Sequence, residues 1–254
     1  MKTCLLIVIL TLLSNIVLAD EKKLRTSYYR QNMAPQLFFN ENNKPTSGIL
    51  FDITHAIADK LDLELEMLPI PRKRIEQTLV RNIIDMHCAA NKSWYTLSTL
   101  QWSSVIYKNR DILINNKGIT TLTELADYQQ LKIGTSLGYI YPELVNYINN
   151  NNILPVSSVS PEDSYKQYRK NKIAGFVIPE IEASPFIKEV TDSVVIMNNN
   201  DIRCVLAPSM KKSRVDNISR AIEQLKFSGE IDAILSKYMP ESKLARENSK
   251  ILAD

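Results

Sequence analysis

The sequence predicts an α/β fold of two lobes, each a mostly parallel sheet flanked by helices, with a ligand cleft between them. Strand-like and helix-like patterns alternate along the chain, and the alternation breaks off and then restarts at Thr123. The chain has no internal repeat, low-complexity tract or long Pro/Gly linker, which favours two lobes in close contact. Small ligands bind preferentially in clefts between such lobes.

The first 19 residues predict a secretory signal. Lys2 supplies a positive start, CLLIVILTLL an apolar core and Val17-Leu18-Ala19 a small-residue cleavage site, so we expect cleavage after Ala19 and a periplasmic protein. The alternative is a membrane anchor, but the apolar run is short and the polar ADEKKLR follows it.

Charge and hydropathy exclude two classes of partner for residues 20–254. The whole chain carries 31 Lys and Arg against 28 Asp and Glu, and no basic block stands out, so nucleic acid is not expected as a partner. No later apolar run approaches the length of a membrane span, so we expect no membrane insertion of the mature chain. We expect a monomer.

Hydrophobic periodicity assigns the elements of the first run. Period-2 alternation marks strands, and the spacing of Phe51, Ile53, Ile57 and Leu61 marks a helix. The predicted elements in order are strand 23–29, strand 38–45, helix 48–61, strand 63–70, helix 74–80 and strand 83–89.

The second run follows a polar, aromatic stretch at residues 91–101. Its predicted elements are extended segments 103–107 and 111–114, a short helix 123–126, a strand from Leu131, a helix after Tyr139, strand 153–156, helix 164–168, strands 174–178 and 203–207, and an amphipathic helical region 215–238.

Two cysteines, Cys88 and Cys204, remain after the predicted cleavage. In an oxidising compartment such a pair favours a disulfide, which would join segments far apart in the sequence. The alternative is two small buried apolar side chains that do not meet.

Nothing in the sequence calls for catalysis, a metal or a cofactor. His55 lies in a predicted helix and His87 in a predicted strand, without metal-ligand spacing, and neither a nucleophile elbow nor a phosphate loop occurs. We therefore expect no catalytic residue, no metal site and no cofactor.

Several short motifs follow one another in the chain. They are GILFDI from Gly48, PRKR with NIID from Pro71 and Asn82, WSSVIY from Trp102, LTELAD before KIGT, and the closing stretch from Ala221 to Tyr238. In this order they resemble the family 3 extracellular solute-binding proteins, the periplasmic receptors of polar amino-acid ABC importers and their orphan relatives. The Cys88, Trp94 and GYIYP (from Gly138) positions are similar to those of the orphan receptors.

The resemblance implies a type II periplasmic-binding-protein fold with interleaved lobes. It implies a first lobe from residues 20–108 and 199–240, a second lobe from residues 109–198 and a C-terminal tail at 241–254. It also implies a small-molecule solute as ligand and an ABC importer permease or a membrane sensor as partner.

Two positions depart from the pattern of amino-acid receptors. The family's carboxylate-binding Arg is missing from the segment Trp94 to Thr99, and the Asp of its G-x-v-D-a segment is missing from Asn171 to Phe176. An α-amino acid is therefore not the expected ligand. The residues expected at the cleft favour a small anionic or aromatic solute instead.

The implied fold brings eight side chains to the cleft. They are Tyr28, Arg72, Arg74, Asn91 and Trp94 from the first lobe and Thr135, Ser136 and Tyr139 from the second. Tyr29, next to Tyr28, is also expected at the cleft. The arginines could pair with an anion, and the rings could enclose a flat ligand body. In the loop Gly134-Thr135-Ser136-Leu137-Gly138, the Thr135 and Ser136 hydroxyls and free N–H groups at a helix start could hold a carboxylate or phosphate. The alternatives are solvated arginines, a Trp94 that covers the core edge, and a plain turn after Leu131.

Two other functions stay open at this point. One is an enzyme on the same fold, such as a dehydratase or lyase acting on a small carboxylic acid, which would need a cleft carboxylate of raised pKa beside the anion-holding loop. The other is a regulatory module without a ligand, which would present a large exposed apolar patch to a partner.

Overall fold

The computed structural model describes residues 22–29, 34–187 and 193–239, and the side chains of residues 184–187 are not described. The predicted signal at residues 1–19 and the predicted tail at 241–254 lie outside the described residues.

Thirteen strands are present in the described part of the chain. They are β1 (Lys23–Tyr28), β2 (Phe38–Phe39), β3 (Pro45–Ser47), β4 (Glu64–Pro69), β5 (Met86–Ala90), β6 (Gln101–Trp102), β7 (Tyr107–Asn109), β8 (Asp111–Asn115), β9 (Leu131–Ser136), β10 (Ile153–Ser158), β11 (Gly175–Pro179), β12 (Ser193–Ile196) and β13 (Asn200–Leu206).

The helices lie between these strands. They are α1 (Ile49–Lys60), α2 (Ile75–Val80), α3 (Val145–Asn149), α4 (Pro161–Arg169), α5 (Glu180–Ile187), α6 (Lys212–Phe227) and α7 (Glu230–Tyr238), with 3-10 turns at Arg72–Arg74, Lys92–Trp94, Leu122–Asp127 and Pro142–Leu144.

Two sheets of related topology form the two lobes. The first has the order β4-β1-β5-β13-β6, with β7 also on β13, and the second has the order β10-β9-β11-β8-β12. In each, three parallel strands are followed by one antiparallel strand, β13 beside β5 and β8 beside β11. The predicted α/β class with mostly parallel sheets is confirmed.

Apolar stripes explain how the helices cover the first sheet. Ile49, Ile53 and Ile57 recur four residues apart along α1 and are fully buried. Ile218 and Ile222 form the corresponding stripe of α6, and the stripes pack into one core cluster with the strands. Burial of a side chain of this size contributes roughly 1.5–3 kcal/mol.

The chain passes between the two sheets twice at adjacent positions. It leaves the first sheet after Asn109, enters the second at Asp111 and returns between Ile196 and Asn200. Asp111 Oδ2 accepts hydrogen bonds of 2.9 Å from the side chains of Asn198 and Asn200, so the two crossings are held side by side.

Cys88 and Cys204 form a disulfide between β5 and β13, which confirms the predicted pairing. Both residues are fully buried in the core of the first lobe. The loop that the bond closes contains the whole second lobe, because β8 to β12 lie between the two cysteines in sequence.

Some predicted elements differ from those observed. The region 215–238 contains two helices, because Gly229 takes a left-handed conformation (φ 78°) between α6 and α7. The helix expected after Tyr139 begins with a 3-10 turn at Pro142, and α5 and β12 were not predicted.

Candidate functional site

A cavity of about 490 Å³ lies between the two lobes. Its first-lobe wall comes from the turn before α2 and the segment after β5, and its second-lobe wall comes from the ends of β9 and β10 and the start of α3. Parallel strands present their carboxyl ends at the same edge, which places both walls where ligands bind in α/β proteins. The lining residues are Arg72, Lys73, Glu76, Trp94, Tyr95, Thr96, Thr135, Ser136, Leu137, Gly138, Tyr139, Ile140, Tyr141, Val145, Ile148, Pro155 and Ser157.

Arg72 extends from the first lobe to the second. Its Cζ lies 4.0 Å from the ring centroid of Tyr139 and 4.8 Å from that of Trp94, so the guanidinium contacts a ring from each lobe. Such cation–π contacts are each worth roughly 0.5–2 kcal/mol. The guanidinium also donates a long hydrogen bond of 3.4 Å to the Tyr29 hydroxyl. Within the described residues, Arg72 forms no ion pair with a carboxylate.

A chain of buried hydrogen-bonded side chains leads from Arg72 into the first lobe. The Tyr29 hydroxyl lies 2.9 Å from His87 Nε2, and the Ser27 hydroxyl lies 2.9 Å from His87 Nδ1. Burial and the nearby Arg72 charge lower the pKa of His87 to about 3. The imidazole is therefore neutral at physiological pH, and it acts as donor at one nitrogen and acceptor at the other.

Tyr139 contacts a buried carboxyl group on its far side. Its hydroxyl lies 3.5 Å from Oε1 of Glu182, which lies in the first turn of α5 and is buried. Burial raises the pKa of Glu182 to about 7, a shift that Arg72 opposes and Asp111 supports. Glu182 Oε2 has no hydrogen-bond partner among the described residues, and the residue does not line the cavity.

The loop after β9 differs from the expected anion grip. No α-helix begins at Ser136: the N–H of Ser136 donates to the Tyr141 hydroxyl and that of Leu137 to the Ser158 carbonyl. The expectation of free N–H groups at a helix start is therefore wrong here. Gly138 has a left-handed φ of 85°, which turns the chain so that Tyr139 faces Arg72.

Five of the eight predicted ligand-binding residues line the cavity. They are Arg72, Trp94, Thr135, Ser136 and Tyr139. Thr135 and Ser136 are largely buried at its floor, and the Thr135 hydroxyl lies 3.4 Å from that of Ser157.

The other three predicted residues lie elsewhere. Tyr28 packs in the core of the first lobe against Phe39, because alternation along β1 points it away from the face of Tyr29. Arg74 is exposed beside α2, outside the cavity. Asn91 accepts from the N–H of Ser93 at the start of a 3-10 turn and donates to the Asp201 carbonyl, so its side chain has a structural role.

Tyr28 and its neighbour Tyr29 were both expected at the cleft, and the strand register brings Tyr29, not Tyr28, to Arg72. Sequence reasoning missed several other residues of the cleft. Glu76 accepts hydrogen bonds from the N–H groups of Thr96 and Leu97, a contact across 20 residues that no local pattern shows. The exposed apolar side chains of Leu137, Ile140, Val145 and Ile148 also face the cavity.

The comparison with protein families matches residues 26–241 to the bacterial extracellular solute-binding proteins, family 3. The chain belongs to this family. The resemblance carried by the short motifs is thereby confirmed, and the family's two-lobed fold is the one observed.

Solved structures of the family share the fold at low sequence identity. An ancestral arginine-binding protein bound to glutamine has a TM-score of 0.68 at 19% identity, covering 87% of this chain and 99% of that one. An ancestral amino-acid-binding protein, a precursor of cyclohexadienyl dehydratase, has a TM-score of 0.72 at 14% identity, covering 87% and 96%. An ABC uptake transporter substrate-binding protein from Streptococcus pneumoniae with bound histidine has a TM-score of 0.68 at 17% identity, covering 88% and 94%. The comparison with curated proteins finds no match.

The described part of the chain has neither a membrane-spanning helix nor a metal-binding cluster. No helix there has both the length and the apolar character needed to cross a bilayer. No group of three or more His, Cys, Asp and Glu side chains is arranged there to hold a metal ion.

Proposed function

We propose that this family member is a receptor that captures a small organic anion between its lobes. The observation that carries the proposal is Arg72, whose charge lies in the cavity without a carboxylate partner among the described residues. The rings around it form no ion pair with it, which leaves guanidinium N–H groups for a carboxylate. Lys73 adds a second cation to the same wall.

The remaining wall chemistry supports an apolar or aromatic body for this anion. Leu137, Ile140, Val145 and Ile148 expose apolar surface to the cavity, opposite Trp94 and Tyr95. Glu76 also lines the cavity, but its carboxylate already accepts hydrogen bonds from Thr96 and Leu97, so it is poorly placed to hold an ammonium group. A carboxylate with an aliphatic or aromatic body fits these walls better than a zwitterion.

Capture would work by closure of the lobes. A solute that contacts both walls binds the closed form better than the open form and shifts the population by that difference. In this proposal the signal at residues 1–19 directs the monomer to the periplasm, and the closed form delivers its solute to an ABC importer permease or reports it to a membrane sensor.

Calorimetric titration of the protein with a panel of monocarboxylates, dicarboxylates and α-amino acids tests the proposal. We expect at least one aliphatic or aromatic carboxylate to bind, and Arg72→Gln to weaken it about 10- to 100-fold, as expected for a lost charge-assisted pair. Arg74→Gln is the matched control, because Arg74 lies on the same turn but outside the cavity.

Two results would contradict the proposal. One is the absence of binding by every anion in the panel. The other is equal weakening by Arg72→Gln and Arg74→Gln, which would show only a general effect of net charge.

A second candidate function is a lyase or dehydratase, and Glu182 is the observation that favours it. Its pKa near 7 suits proton transfer, and it contacts Tyr139 of the cavity wall. The test follows small hydroxy acids by NMR in the presence of the protein and of Glu182→Gln. Turnover by the first and not by the second would support an enzyme, and no turnover by either would exclude it for those substrates.

A further inference from the structure

The rings around Arg72 form an aromatic cage. Tyr139 and Trp94 approach its guanidinium from opposite lobes, and the Tyr29 ring lies 6.0 Å away as a third wall. Ring faces attract cations through their quadrupole, and aromatic cages of this kind bind quaternary ammonium and other organic cations in proteins. Here the occupant is a side chain of the protein itself.

The contact between Arg72 and Tyr139 also divides the interlobe space. A second cavity of about 170 Å³ lies beside the first and is lined by Tyr29, Pro71, Val159 and Pro161. The two cavities share Arg72, Lys73, Tyr139 and the loop from Ser136 to Gly138 as common walls. The guanidinium and the Tyr139 ring therefore stand as a partition between them.

We propose that Arg72 is a tethered occupant of a cation-binding cage and that it sets the specificity of the cleft. While the guanidinium fills the cage, a cationic group of a solute finds neither space nor a favourable field there. Removal of the Arg72 side chain leaves the three rings and joins the two cavities, so the cage becomes a site for a small organic cation. The inference deepens the proposed function, since the same residue excludes cations and attracts anions.

The test uses methylguanidinium chloride at low millimolar concentration as the probe. Trp102→Phe in every protein leaves Trp94 as the single tryptophan, so fluorescence reports the cage wall directly. With Arg72→Ala we expect saturable quenching of Trp94. At about ten times the Kd we expect a rise in Tm of about 3–6 °C. The protein with Arg72 intact should show neither effect.

Two variants make the test specific. Arg74→Ala removes the same side chain from the same turn without opening the cage, so it should not respond to methylguanidinium. Arg72→Ala with Tyr139→Ala opens the space but removes a cage wall, so it should lose most of the response. Circular dichroism checks that each variant is folded.

A folded Arg72→Ala variant that gives no saturable response overturns the inference, as does an equal response of Arg74→Ala. The outcome is independent of the anion titration. If Arg72→Ala binds methylguanidinium and the wild type binds no anion, the inference is supported and the proposed function is rejected. If the wild type binds an anion and Arg72→Ala does not bind methylguanidinium, the proposed function is supported and the inference is rejected.

Discussion

Arg72 and the groups behind it define the chemistry of the cleft at the scale of single residues. Tyr29 joins the guanidinium to His87, while Tyr139 joins it to Glu182. Both buried titratable groups are neutral over part of the physiological pH range, since burial lowers the pKa of His87 and raises that of Glu182. Arg72 is thus the charged group to which both of these contacts lead.

Glu182 predicts a pH dependence of stability with a defined sign. Its pKa is raised from 4.5 to about 7 in the folded protein, so the fold holds the proton that the unfolded chain releases. Its contribution to stability is full below pH 4.5 and is lost as the pH rises through 7. Glu182→Gln mimics the protonated group and should remove this loss.

Thermal unfolding at pH 5 and pH 8 measures this effect. Between pH 5 and pH 8 we expect the wild type to lose up to about 3 kcal/mol more of its free energy of unfolding than Glu182→Gln loses. This size follows because a pKa shift of one unit corresponds to about 1.4 kcal/mol. Glu223→Gln is the control, because Glu223 is exposed on α6. A parallel pH profile for wild type and Glu182→Gln would contradict the prediction.

His87 should remain neutral well into the acid range. The unfolded imidazole titrates near 6.5 and the folded one near 3, so its contribution to stability is present above pH 6.5 and is lost as the pH falls toward 3. Its ring signals in NMR should not shift between pH 7 and pH 4.5. If the His87 ring in the folded protein titrates with a midpoint near 6.5, the buried chain of Ser27, His87 and Tyr29 does not form.

At the scale of elements, two glycines show what a tight turn requires of the backbone. Gly48 precedes α1 with φ of 122°, and a Cβ placed there would lie 2.4 Å from the Gln36 carbonyl oxygen. Gly118 also has a positive φ, of 74°, but a Cβ added there would have no other atom within 4 Å. Alanine at Gly118 would therefore cause backbone strain alone, whereas alanine at Gly48 would cause backbone strain and steric overlap.

Gly48→Ala should destabilise the protein far more than Gly118→Ala. A positive φ costs a non-glycine residue about 1–3 kcal/mol, which both variants bear. Gly48→Ala adds an overlap with backbone atoms that cannot move independently. Urea unfolding of the two variants measures the difference, and equal losses would contradict the prediction.

The interleaved chain and its disulfide set stability at the scale of the whole molecule. The two lobes are connected by adjacent crossings, and the Cys88–Cys204 bond lies in the first lobe, with a sequence separation of 116 residues. A cross-link over a loop of this length restricts the unfolded chain, by about 4–5 kcal/mol in the chain-entropy account.

Replacement of Cys88 and Cys204 by Ala should lower the free energy of unfolding by about 2–5 kcal/mol. Ligand affinity should change little, because neither cysteine lines the cavity. Urea unfolding monitored by circular dichroism gives the loss, and wild type treated with a reductant is the matched control. An unchanged unfolding midpoint would contradict the prediction.

Much of the fold could be predicted from local patterns. Period-2 and helical spacings indicated β4, β5, β10 and α1, since each pattern lies within one short element. The missed elements include α5, β6 and β12, and the single helical region expected from 215 to 238 is divided at Gly229. The start of α3 was misplaced because Pro142 begins a 3-10 turn there.

The site could be predicted in part. Arg72, Trp94, Thr135, Ser136 and Tyr139 were placed at the cleft because they lie near strand ends, which the fold implied by the family resemblance brings together. The exclusion of Tyr28, Arg74 and Asn91 depends on strand register and on hydrogen bonds between distant segments, which no local pattern contains.

By itself the sequence determined the α/β class, the family and the two-lobed architecture that the family implies, because periodicity and motif order are properties of the chain. It favoured a disulfide between Cys88 and Cys204, which the structure then confirmed. Only the tertiary structure decided that Arg72 lies between Trp94 and Tyr139, that Tyr29 rather than Tyr28 faces it, and that Glu182 lies buried behind Tyr139. Those relations join residues from distant segments of the chain, and they arise only when the chain has folded.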